Sequence, residues 1–184
     1  AAKLYEQLIS TEPDIKLNYW YLGLALLLLG QETEAQMTWM VSLTQVEPDH
    51  TQFYINELIQ VLQAEAERLE TENKYSIAWV VRQHIREINP RYTNNLLKLI
   101  ELSIKQDILE DATLKDWEII EILKQENNLD IGLLQQVLKK FIENVPLHPS
   151  TLEFVEACLI KFVNPQDCFW IILPATMDIG HTLK

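Results

Sequence analysis

The run Asn18 to Gly30, NYWYLGLALLLLG, constrains the fold more than any other stretch of this chain. Ten of the eleven residues from Tyr19 to Leu29 are aromatic, Leu or Ala. A helix that is apolar on every side has to be covered on every side. A membrane is one such cover, but a spanning helix needs about 20 apolar residues. This run stops at Gly30, and Gln31, Glu32 and Glu34 follow at once. The cover is therefore expected to be protein, with no membrane contact.

The rest of the sequence supplies helices to provide it. The pattern predicts helices over 1–11, 16–29, 32–46, 50–71, 74–88, 92–106, 113–126, 131–144, 150–163 and 166–182. Breakers separate them at Pro13, Gly30, Pro48, Pro90, Pro146 with Pro149, and Pro165. Over 53–69, Phe53, Leu58, Val61, Leu62, Ala66 and Leu69 fall on one predicted helical face. Asp111, Thr113 and Ser150 suit N-cap positions. No segment alternates for long enough to read as a strand. DCFWIILPA comes nearest, but Pro174 and its helical surroundings favour a kinked helix.

Two positions recur at a fixed period. Ala1 and Tyr5 return 34 residues later as Ala35 and Trp39, and Pro13 returns as Pro48 after 35. Upstream of Ala35, Tyr19, Leu22, Gly23 and Leu26 have the spacing aromatic-x2-Leu-Gly-x2-large. This resembles the tetratricopeptide repeat, W-x2-L-G-x2-Y, then A-x3-F, then P. Tyr19 stands for the Trp, Leu26 for the Tyr and Trp39 for the Phe. The physical sense is direct: small residues at Gly23 and Ala35 let two helices approach, and large ones fill the space around them. Gly30 permits the turn, and Pro48 stops the helix before it. The likeness is strong for residues 1–49 and degenerate beyond. Ala78 and Pro90 align with Ala35 and Pro48 at spacings of 43 and 42, the extra residues lengthening the 50–71 helix.

The resemblance implies an all-α fold: a right-handed superhelix of antiparallel helical hairpins, an α-solenoid. Residues 1–90 form the clearer repeats, and 91–184 continue the array in degenerate form. The first helix of a hairpin then has two faces. Tyr19, Leu22, Gly23 and Leu26 pack within the array. Trp20, Leu24, Leu27 and Leu28 line its concave groove and would receive a partner peptide or helix. The alternative for that stripe is cover by the chain's own helices or by a second copy, a homodimer. Arg91, Asn95, Lys98 and Lys105 lie near one face of a later helix. In such arrays Asn with Lys or Arg clamps a partner's carboxylate, but an ordinary solvated face has the same spacing.

Chemistry is sparse. Four glycines, Gly23, Gly30, Gly132 and Gly180, cannot build a phosphate-binding loop. A formal charge of −12 leaves no basic footprint for nucleic acid. His50, His84, His148 and His181, with Cys158 and Cys168, match no zinc spacing, so no metal and no cofactor are expected. Asp178 and His181 read as a surface pair, and Glu65, Glu67, Glu70 and Glu72 as a solvated face. Two cysteines without a disulfide framework point to a reducing, cytoplasmic compartment.

The expected function is a non-catalytic protein–protein interaction scaffold. The opening residues look like the middle of a helix, which suggests a module of a larger bacterial protein. Arrays of this kind also precede glycosyltransferase domains of the O-linked N-acetylglucosamine transferase and SPINDLY-like type. A substrate-presenting arm is therefore one alternative, and a structural dimerisation module another.

Overall fold

The computed structural model describes residues 1–105 and the single positions 122 and 132, both helical. The segments expected at 113–126, 131–144, 150–163 and 166–182 otherwise lie outside the described residues. So do the two cysteines, His148, His181, Asp178, the suggested caps at Asp111, Thr113 and Ser150, and Pro174. The chain divides into two units, Ala1–Ile88 and Asn89–Lys184.

The first unit holds five helices: α1 (Ala2–Thr11), α2 (Lys16–Leu28), α3 (Glu32–Thr44), α4 (Pro48–Thr71) and α5 (Tyr75–Ile88). The second opens with α6 (Thr93–Lys105). No strand occurs among the described residues, so the described part is all-α. All six helices agree with the expected spans to within two residues at each end. None is long and apolar enough to cross a membrane.

Short turns fix the order of packing. At the end of α2 the Gly30 amide donates to Leu27 O at 2.9 Å, and the Gln31 amide to Leu26 O at 3.0 Å. Gly30 has φ +79. This is a helix C-terminus closed through one left-handed residue, a conformation that glycine adopts at no steric cost. The end of α4 repeats it with asparagine. Asn73, at φ 58, donates to Glu70 O at 3.1 Å, and Lys74 donates to Leu69 O at 2.9 Å. Connections this short make α2–α3 and α4–α5 antiparallel hairpins. Pro48 has a different role from the one expected. Helix α3 has already ended at Thr44, and Pro48 begins α4, where its fixed φ and missing N–H suit the first helical position.

Within the unit, α2 packs against α3, α1 against α2, and α4 against α5. Helix α4 also touches α2 and, to a smaller extent, α3. The core takes Trp20, Leu22, Leu24 and Leu27 from α2, and Ala35 and Trp39 from α3. Helix α4 adds Leu58, Ile59, Leu62, Ala66 and Leu69, and α5 adds Ala78, Val81 and Ile85. Burying each large aliphatic side chain contributes about 1.5–3 kcal/mol. Phe53 departs from the expected face. It is 60% exposed in the first turns of α4, before the buried stripe starts at Leu58, and meets Tyr54 edge-on.

The α2–α3 crossing is the closest point of the fold. A Cβ added to Gly23 would stand 2.6 Å from Cε2 and 2.7 Å from Cδ1 of Trp39. No real Cβ sits there, so glycine is what admits the indole. Trp39 Nε1, brought in that far, donates to Trp20 O at 3.2 Å in a buried hydrogen bond. The second hairpin reuses the positions 43 residues on. Ala66 stands for Gly23, Asn73 for Gly30, Ala78 for Ala35 and Arg82 for Trp39. Ala66 and Ala78 are fully buried, and the buried Arg82 guanidinium pairs with Glu70. Glu70 is therefore an internal ion-pair partner and not part of a solvated face. Helix α4, at 24 residues against 13 for α2, absorbs the longer spacing.

Candidate docking groove between the first three helices

The apolar stripe on α2 is mostly closed. Trp20, Leu24 and Leu27 are buried by the chain itself, and only Leu28 stays 40% exposed. Of the two readings of this stripe, burial supports internal cover. Trp20 Nε1 also reaches no hydrogen-bond partner, so the ring is held by packing alone.

The open apolar surface lies on another side of the same helix. Ile9 from α1, Tyr19 and Leu22 from α2, and Met37 and Val41 from α3 line a groove of about 380 Å³, with Glu6 and Thr38 at its edges. Helix spacing explains the set. Glu6 and Ile9 are i, i+3 on α1, Tyr19 and Leu22 are i, i+3 on α2, and Met37 and Val41 are i, i+4 on α3. Both α1 and α3 pack on α2, so α2 forms the floor and its neighbours form the walls. Met37 is 59% exposed and Val41 50%, with Met40 more exposed still beside them.

Charge is uneven along this groove. Glu6 on the α1 wall is exposed, and Glu34 is exposed one turn before Thr38 on the same α3 face. Neither carboxylate takes part in an ion pair among the described residues. At the far end, Lys16 Nζ lies 5.5 Å from the Tyr19 ring centroid and donates to Gln45 Oε1 at 3.4 Å.

The suggested carboxylate clamp does not assemble as an open face. Arg91 is exposed, Asn95 is buried, and Lys98 pairs with Glu101 at 2.9 Å. The Lys105 side chain lies outside the described residues. Neighbours of Asn95 on α6, Leu96, Leu97, Leu99 and Ile100, are buried too, so this helix is covered on most sides.

One buried histidine with exposed polar partners has no motif in the sequence. His84 of α5 lies with Nδ1 3.0 Å from Glu87 Oε2 and Nε2 3.3 Å from Glu32 Oε1 of α3. Its ring meets Trp39 edge-on at 5.7 Å, and Gln36 Nε2 donates to Glu87 Oε2 at 3.1 Å. The group ties α3 to α5. No set of three or more metal-ligating side chains is gathered among the described residues.

The sequence reading missed the groove because it expected the Trp20 and Leu24 stripe to be open, whereas both are buried; Leu22 is buried as expected, and Tyr19 is half-buried. The signal was on α3. Ala35 and Trp39 define its inner face, so Met37, Met40 and Val41 are apolar residues with no inner position to fill. No protein-family model, no curated protein and no solved structure matches this chain.

Proposed function

We propose that the chain is a non-catalytic protein-interaction module, a tetratricopeptide-like array whose hairpins wind into a right-handed superhelix. The succession of packing supports the array: α1 on α2, α2 on α3, α2 and α3 on α4, then α4 on α5. The Gly23–Trp39 crossing sits at the small and large positions of the repeat pattern, and Ala35 is buried at its own.

The groove carries the functional part of the reading. Its α3 wall exposes Met37 and Val41 over a floor of Tyr19 and Leu22, an apolar concavity of the kind that marks an interaction site. A helix laid into it would seat side chains at i, i+3, i+4 and i+7 against Ile9, Leu22, Met37 and Val41. Unbranched Met37 and Met40 adapt to the shape of such a guest. A display selection of helical peptides against the intact chain tests this. Selected sequences should converge on that apolar spacing and lose binding to Val41→Asp, an exposed substitution that leaves the fold in place. Binders indifferent to Val41→Asp would refute the groove as the docking site.

A further inference from the structure

We propose that the occupant of the α1–α3 groove is a basic amphipathic helix, with cations on its flanks opposite Glu6 and Glu34; this rests on the groove being the docking site. The walls are apolar apart from Glu6 and Thr38. The charges beside them are therefore the ones a guest must answer. Glu6 on the α1 wall and Glu34, one helical turn before the lining residue Thr38 on α3, are exposed and form no ion pair among the described residues. Lys3, one turn before Glu6, is the only cation on α1, and α3 has none. Lys16 sits at the opposite end, by Tyr19 and Gln45. Residues 1–46 carry five acids, Glu6, Glu12, Asp14, Glu32 and Glu34, against two lysines, Lys3 and Lys16. With −12 over the whole chain, an acidic guest would meet repulsion at every approach. A guest helix with Lys or Arg bordering its apolar face would bury that face and pair its cations at the rim. Its cations belong at the Glu6–Glu34 end and not at the Lys16 end.

Two synthetic 18-residue helices test this on the full chain. They share a Leu face at i, i+3, i+4 and i+7, and one has Lys on its flanks where the other has Glu. Fluorescence anisotropy of each labelled peptide is read at low and high salt. The Lys peptide should bind and the Glu peptide should bind at least about tenfold more weakly at low salt, the gap closing as salt screens it. Glu6→Gln with Glu34→Gln should weaken the Lys peptide about three- to tenfold, the range that two exposed ion pairs supply. Asp49→Asn with Glu67→Gln, on α4, should leave it unchanged. Val41→Asp should remove the binding of either peptide to the groove. If both peptides bind equally and both are lost in Val41→Asp, the charge proposal falls while the groove reading stands. If neither binds, both fall. An equal loss in the α4 variant, or Lys-peptide binding that survives Val41→Asp, would mean diffuse attraction to an acidic surface and would overturn the proposal. So would sedimentation of the chain alone as a dimer that Val41→Asp converts to a monomer, because the occupant would then be a second copy.

Discussion

Gly23→Ala is the sharpest perturbation of this fold, because three effects of different sign meet at one methyl group. In an isolated helix the change is favourable by about 1 kcal/mol, the propensity difference between the two residues. Here the new Cβ would stand 2.6–2.7 Å from Trp39 Cε2 and Cδ1. The indole is rigid and buried, so relief requires α3 or the ring to move. Overpacking of this kind costs about 1–3 kcal/mol. Moving the ring also breaks the Nε1 bond to Trp20 O and leaves a buried donor unpaired, for about 1–3 kcal/mol more. The costs exceed the propensity gain, and the expected net loss is about 3 kcal/mol. Urea unfolding followed by tryptophan fluorescence measures it. Trp39→Leu in the same chain supplies the control: it vacates the space the methyl needs. The double variant should therefore be more stable than the sum of the two single losses by at least about 1 kcal/mol. A Gly23→Ala protein more stable than the parent, or additive losses in the double variant, would show that Gly23 and Trp39 do not meet and that the α2–α3 register is wrong.

Trp20→Ser with Leu24→Ser should lower stability by several kcal/mol in thermal melts and leave the sedimentation behaviour unchanged, because both side chains are buried by the chain itself. Gly30→Ala should cost about 1–2 kcal/mol through its left-handed backbone, although nothing stands within 4 Å of the new methyl. Gly30→Asn should cost less, since Asn73 holds the equivalent turn, and chemical denaturation compares the two. The Glu72 carboxyl is held below the usual carboxylate range by its hydrogen bond to Lys74 and then by that to Arg68. Its contribution is thus present above the ordinary range and lost only as the pH falls through the lower folded value. An NMR titration should place Glu72 below the ordinary carboxylate range, and Lys74→Met should move it back up.

The local grammar of this chain was legible in the sequence because each signal is local in cause. Gly30 marks a left-handed turn, Gly23 a close approach, and the Leu58–Leu69 stripe a covered helical face, and each holds in the structure. Polar residues were harder to place, since burial of a charge depends on a partner from a distant segment. Glu70 reads as one of four surface acids until Arg82, twelve residues on, reaches it from the next helix. His84 reads as a scattered histidine until Glu32, more than fifty residues earlier, meets its Nε2. The first pair spans the turn between two helices, and the second lies in no helix-length window.

The groove exposes the same limit at the level of whole faces. An all-apolar helix such as α2 gives no moment to say which side is covered, so the assignment of its faces had to come from its neighbours. Helix α3 held that information in an asymmetry: its small Ala35 and large Trp39 complete the crossing with Gly23, and everything apolar elsewhere on it is surplus to that packing. Met37, Met40 and Val41 are that surplus. Since α1 and α3 each pack on α2 and not closely on one another, the surplus faces an open trough floored by Tyr19 and Leu22. The buried Trp20 side of α2 and its half-buried Tyr19 at the groove thus follow from one choice, the side on which Gly23 lets Trp39 in.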